Sequence, residues 1–210
     1  MTNLDLTAYV DESCKPVRDR KTGRATTGQH YVAASAVILS GDEHRLRADL
    51  AALAHTIGAP LHYYELSTAK RIDVVKRLAD IDGWEGGTFE TRHPFWPSTN
   101  EHHARAKVIG EALTVLPTKG ATHVVLETRG VANTGFGKLN QKDHDVLRKL
   151  QRQKQVPAGL RIEHRTKAEL ILAIADIVAG ARTDHLCGVT DQPHALLAHR
   201  VDYNHAIGVA

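Results

Sequence analysis

Residues 122–128 read THVVLET, and the unbroken apolar run Val124, Val125, Leu126 constrains the fold more than any other feature of the chain. Successive side chains of a strand point to opposite faces, so a strand that is apolar at every position lies in the middle of a sheet with both faces covered. The flanking sequence supplies helices for that purpose. Before the run, EHHARAKVIGEALTVL reads as a helix stopped by Pro117 and Gly120; after it, residues 138–155 carry Val146, Leu147 and Leu150 on one side, and Pro157 closes the segment.

The same alternation extends along the chain. Leu46, Leu50, Leu53 and Ile57 recur at helical spacing until Gly58 and Pro60, and Ser67 can cap a second helix lined by Ile72, Val75 and Leu78. Strand candidates are residues 6–10, HYVAASAVILSG, LHYYEL, GTFETR and GLRIEHRT. Residues 167–182 read as a last helix, and the tail from 183 as a loop with a short closing element. The Gly-, Pro-, Trp- and Phe-rich stretch at 82–100 reads as a large loop or small insertion. The expectation is one α/β domain over residues 1–210, with hairpin-like strands first and crossover helices later.

A chain of 210 residues with 42% hydrophobic content can fill one core, and its net charge of +3 permits a polyanionic partner without requiring one. Cys14 and Cys187 have no metal-type spacing, which points to free thiols, a reducing compartment and a cytoplasmic address. No opening segment resembles a targeting peptide, and the longest apolar stretch, AELILAIADIVAGA, is too short and polar to span a bilayer. Positive charge clusters locally. Lys15, Arg18, Arg20, Lys21 and Arg24 face only Asp19 across 14–30, read as a polar, mobile tip; Lys138, Lys142, Arg148, Lys149, Arg152 and Lys154 face Asp143 and Asp145 on the helix after THVVLET. Both clusters suit contacts to a DNA or RNA backbone, or alternatively a solvated surface.

The acidic residues carry the chemistry. Asp11 and Glu12 follow an apolar strand, whose alternation sends them to opposite faces, so one of them, Asp11, is expected to enter a site. In KAELILAIADIVAGA, Asp176 is surrounded by Leu172, Ala173, Ala179 and Gly180, the only charge on a dry helical face, with Glu169 two turns earlier. A buried carboxylate needs a hydrogen bond, a counter-ion or a cation. Glu127 ends the THVVLET strand and Glu65 ends LHYYEL. Carboxylates from strand ends and one helix form the oxygen set that Mg²⁺ or Mn²⁺ takes, and two such ions about 4 Å apart support phosphodiester hydrolysis. There is no P-loop or dinucleotide fingerprint, no context for a nucleophilic triad, and the spacings of His102, His103, Cys187, His194 and His199 match no common zinc site.

The opening strand with D-E-S, the segment LHYYELSTAKR, the HVVLE strand and the closing LILAIADIVAG together resemble a bacterial family catalogued as domain of unknown function 3800, within the ribonuclease H-like superfamily. The resemblance spans residues 7 to 182. It implies a mixed sheet of about five strands, the first three antiparallel, flanked by helices. It also implies that Asp11, Glu127 and Asp176 are metal ligands in a magnesium- or manganese-dependent nuclease, with Glu12 or Glu65 completing the shell and Lys167 or a nearby arginine steadying the developing charge. Cys14 stands where that family usually has glycine, and the superfamily's glutamate on the first long helix has no counterpart beyond Asp42 and Glu43. The alternative is a nucleic-acid-binding or complex-forming module that keeps the fold without turnover.

Overall fold

The computed structural model describes residues 5–19, 21–96, 101–128 and 137–208, the side chains of 137–139 apart. Six strands form one mixed sheet: β1 (Leu6–Arg18), β2 (Ala25–Leu39), β3 (Glu85–Thr91), β4 (Ala121–Glu127), β5 (Arg161–Arg165) and β6 (Val201–Ile207), in the order β5-β4-β1-β2-β3-β6. The β1–β2 and β2–β3 pairs are antiparallel; β4 runs parallel to β1, β5 to β4 and β6 to β3. The fold is therefore α/β with an antiparallel first trio, as expected, and one strand more than expected. The extra strand comes from the tail, which forms α6 (Gln192–Leu197) and β6 rather than a loop. Half-buried Val201, Tyr203, His205 and Ile207 alternate there with exposed Asp202, Asn204 and Ala206, the period of an edge strand.

Helices cover both faces. On one lie α1 (Glu43–Ile57), α2 (Thr68–Asp80) and α5 (Leu172–Leu186), packed on Tyr9, Val32, Ala34 and Val125; on the other lie α3 (Glu101–Val115) and α4 (Gly137–Arg152), packed on Ala8, Val10, Ala33 and Val124. Val124, Val125 and Leu126 are all buried between β1 and β5, which accounts for their unbroken apolarity. Leu46, Leu50, Leu53 and Ile57 of α1 are buried, each such side chain contributing roughly 1.5–3 kcal/mol. Gly58 ends α1 at φ 65°, donating its N–H to the Ala54 and His55 carbonyls, and the Ser67 hydroxyl accepts the Lys70 N–H to cap α2.

Three local expectations are corrected. LHYYEL is no strand: Tyr63–Glu65 forms a single 3₁₀ turn, because tertiary contacts of Tyr63 override the β preference of its aromatics. Residues 14–30 are no loose tip: β1 and β2 continue through them as a paired ribbon, and the Asp19 carboxylate closes the turn by accepting the Lys21 and Thr22 N–H groups. The last helix begins at Leu172, preceded by turns, and runs on to Leu186. Within 82–100 the expected GTFETR strand is present as β3, and Phe95 adds an antiparallel bridge to Gln29. Among the described residues no helix is long and apolar enough to cross a membrane, and Cys14 and Cys187 form no disulfide.

Candidate functional site

The middle of β1, the C-terminal end of β4 and the first half of α5 meet over the two adjacent inner strands of the sheet. Asp11 is 3% exposed and lines a cleft of about 100 Å³ together with His62, Lys167 and Asp176, over a floor that includes Leu61 and Leu172. Glu127 lies close enough to Asp11 to act on its carboxyl through both hydrogen bonding and negative charge. Burial first, then the Glu127 hydrogen bond and charge, and then the Asp176 charge push the Asp11 carboxyl well above the usual carboxylate range, against the Glu12 N–H that Asp11 accepts at 2.6 Å. Asp176 is also raised, again by burial, although the Tyr63 N–H donates to its Oδ2 at 2.7 Å and His62 and Lys167 oppose the shift.

Basic groups link the acids across the cleft. Lys167 Nζ lies 3.6 Å from Glu127 Oε1 and 3.1 Å from His62 Nδ1, and His62 Nδ1 lies 3.5 Å from Asp176 Oδ2. The sequence therefore located Asp11, Glu127, Asp176 and Lys167 in one place. His62 was missed; it arrives on the turn before the 3₁₀ segment, and no local pattern announces where such a turn docks.

A second buried acid, Asp184, was missed as well. Asp176, Gly180 and Asp184 follow one another at four-residue spacing and share one face of α5. The turn at 62–65 is clamped along that face: the Tyr63 backbone bonds Asp176, its ring covers Gly180, and its hydroxyl donates to Asp184 Oδ2 at 3.1 Å. Tyr64 donates toward Asp184 Oδ1 at 3.4 Å, and Arg71 lies 3.6 Å from Asp184. The i, i+4, i+8 repeat is visible in the sequence and was the available signal.

Glu12 and Glu65 do not join the site. Strand alternation carries Glu12 to the opposite face, where Arg105 Nε and Nη2 donate to it at 3.0 and 2.8 Å and Tyr31 bonds it as well. Arg105 also pairs with Asp143, which His164 Nε2 contacts at 2.9 Å, so Glu12 belongs to a buried network joining β1, α3, α4 and β5. Glu65 is exposed in its 3₁₀ turn, because that segment is not a strand ending at the cleft. Glu169 lies outside α5 and is held by Arg47 at 2.9 Å and Arg165 at 2.9 Å.

The basic clusters separate. Lys21 and Arg24 are exposed at the ribbon turn, Arg18 is exposed and donates to the Gly23 carbonyl, and Lys15 is half-buried with its ammonium 3.1 Å from the centre of the Tyr64 ring. Lys142, Arg148, Lys149 and Arg152 are exposed on α4, which packs on the face opposite Asp176, and Arg148 pairs with Asp145. Arg20 and the side chain of Lys138 lie outside the described residues, as does most of the Gly-rich 133–138 stretch. A larger cleft of about 390 Å³ between Leu6, Val37, Trp84 and Tyr203 has acids already engaged, Asp202 by Lys119 and Asp42 by Arg45.

The donor set fits a hard divalent cation in kind: the side chains offered from β1, β4 and α5 are all oxygen donors, Asp11 and Asp176 are raised by burial and neighbouring negative charge, and Mg²⁺ needs only a few carboxylates and otherwise keeps water. Among the described residues, no three His, Cys, Asp or Glu side chains are gathered closely enough to hold an ion as they stand. No protein-family model matches this sequence, and no curated protein matches it.

Proposed function

We propose that the chain is a ribonuclease H-like nuclease that hydrolyses phosphodiester bonds of DNA or RNA with Mg²⁺ or Mn²⁺ at Asp11, Glu127 and Asp176. The observation that carries the reading is the convergence of these three acids, from β1, β4 and α5, on one cleft edge where burial and mutual repulsion raise Asp11 and Asp176. A strand order of β3-β2-β1-β4-β5 within the sheet, antiparallel and then parallel, agrees with it. The bound ion would supply charge that activates water and stabilises the leaving oxygen. Lys167, beside Glu127, binds and orients the anionic phosphate, and His62, within 3.5 Å of Asp176, is placed to hold or pass a proton at Nδ1.

A cleavage assay tests this on labelled single- and double-stranded DNA and RNA with Mg²⁺ or Mn²⁺, beside Asp11→Asn and Asp176→Asn. Metal-dependent cutting that both folded variants lose supports the reading. Absence of cutting on all substrates by the metal-loaded protein refutes it. The competing reading, a binding module without turnover, draws on the present arrangement, in which Lys167 already lies beside Glu127 and His62 beside Asp176. It requires nucleic-acid binding that survives chelation and both substitutions.

A further inference from the structure

Trp96 is 60% exposed, the most exposed of the large hydrophobic side chains among the described residues, and nothing in the fold requires it to be there. Its neighbour Phe95 is 4% exposed, bonds Gln29 through both backbone groups (2.9 and 2.8 Å), and sits in the core on the α3/α4 side of the sheet. If the extended course at Phe95 continues for one more residue, Trp96 lies level with Gly28 on the flank of the β1–β2 ribbon and turns to the other face, the one bearing Asp11 and Asp176.

The surroundings are cationic. Arg18, Lys21, Arg24 and Arg92 are exposed, and among the described residues none of them forms an ion pair with an acidic side chain. The acids nearby are engaged: Asp19 accepts the backbone N–H groups of its own turn, and Glu90 is buried against Arg182 at 2.6 Å. An exposed indole next to a ribbon whose cations bond backbone carbonyls but no acid has the composition of a surface that tracks a phosphate backbone and stacks a base. Protein partners also use exposed tryptophans, but cations without acidic partners favour a polyanion.

We infer that Trp96 is a base-stacking residue and that the nucleic acid bound along the ribbon presents an unpaired base there, as a single strand, a frayed end or a junction does. A base inside a continuous duplex has both faces stacked and offers none to the indole. The register gives the spacing: Asp11 is opposite Ala34, Phe95 is opposite Gln29, and Trp96 falls level with Gly28, six residues from Ala34, so at about 3.3 Å per residue the stacked base sits about 20 Å along the strands from Asp11. This inference rests on the nuclease reading for the position of the cut, but not for binding itself.

The test is binding of a fluorescein-labelled oligothymidylate and of a blunt duplex to the full chain in EDTA, using wild type, Trp96→Ala, Trp96→Phe and, as a control at another exposed apolar side chain, Leu39→Ala. Base stacking on one aromatic residue corresponds to about 5- to 150-fold in affinity. Trp96→Ala is expected to weaken single-strand binding within that range and duplex binding less than 2-fold, with Trp96→Phe between wild type and Ala, and with Leu39→Ala binding like wild type. Oligothymidylate should quench the wild-type tryptophan fluorescence, and Trp96→Ala should abolish the quenching, since Trp84 is buried. Equal single-strand binding by wild type and Trp96→Ala overturns the inference, as does an equal loss on both substrates, or a change in sedimentation of Trp96→Ala without a change in binding. Single-strand binding lost with Trp96, in a protein that cuts nothing with metal, retains the inference and removes the nuclease reading. Cleavage indifferent to Trp96 does the reverse.

Discussion

Alanine at position 180 would place a Cβ 2.3 Å from Tyr63 Cδ1, 2.5 Å from Cγ and 2.9 Å from Cβ. Those atoms are the root of a fully buried side chain, so the ring cannot swing aside and the 62–65 turn must lift off α5. Overpacking of this kind costs roughly 1–3 kcal/mol. Lifting the turn also stretches the 2.7 Å bond from the Tyr63 N–H to Asp176, and a hydrogen bond to a charged group contributes roughly 1.5–3 kcal/mol. Alanine returns about 1 kcal/mol of helix propensity. The net loss is about 3 kcal/mol, or a fall in Tm of about 10 °C for a chain of this size. Gly110 in α3 provides the control, since a Cβ there meets only Val146 Cγ1 at an ordinary 3.7 Å. Gly110→Ala is expected to gain about 1 kcal/mol and raise Tm by about 2–4 °C. Differential scanning calorimetry of the two variants decides the matter. A Gly180→Ala protein as stable as wild type would falsify the clamp between the 62–65 turn and α5.

Arg105→Met leaves Glu12 and Asp143 buried without their counter-ion and is expected to cost about 3–5 kcal/mol in urea denaturation, while Glu12→Gln leaves metal binding unchanged by calorimetric titration. A Glu12→Gln protein that loses metal would return Glu12 to the site. In the metal-free protein, Asp11 has a folded-state pKa above its unfolded value, so the native state holds the extra proton and its stability falls as pH rises from about 4 through the folded pKa. Asp11→Asn removes that dependence, and the Tm difference between variant and wild type should grow in the variant's favour across that interval. A difference that is flat with pH would contradict the burial and repulsion assigned to Asp11.

Much of this architecture was legible because burial wrote it into the sequence. Val124 to Leu126 announced a central strand, the leucines of α1 announced a half-buried helix, and Asp176 stood out because every neighbour on its face is small or apolar. The segments that were misread lack such a record. The β1–β2 ribbon beyond Cys14 is largely exposed, so its strands carry lysines and arginines in place of an apolar alternation. Tyr63 is held in a 3₁₀ turn by Asp176, Gly180 and Asp184, residues more than a hundred positions away. The same distance hides His62 and Lys167 as neighbours, whereas the separation of Asp11 from Glu12 follows from strand geometry alone.

Isothermal titration of Mn²⁺ into wild type, Asp11→Asn and Asp176→Asn at neutral pH tests the central claim most directly. Wild type should bind the ion, and each folded variant should bind at least about tenfold more weakly, in line with the loss of a charged ligand. Equal binding by all three proteins, or no binding by wild type, would contradict a metal centre at the meeting of β1, β4 and α5.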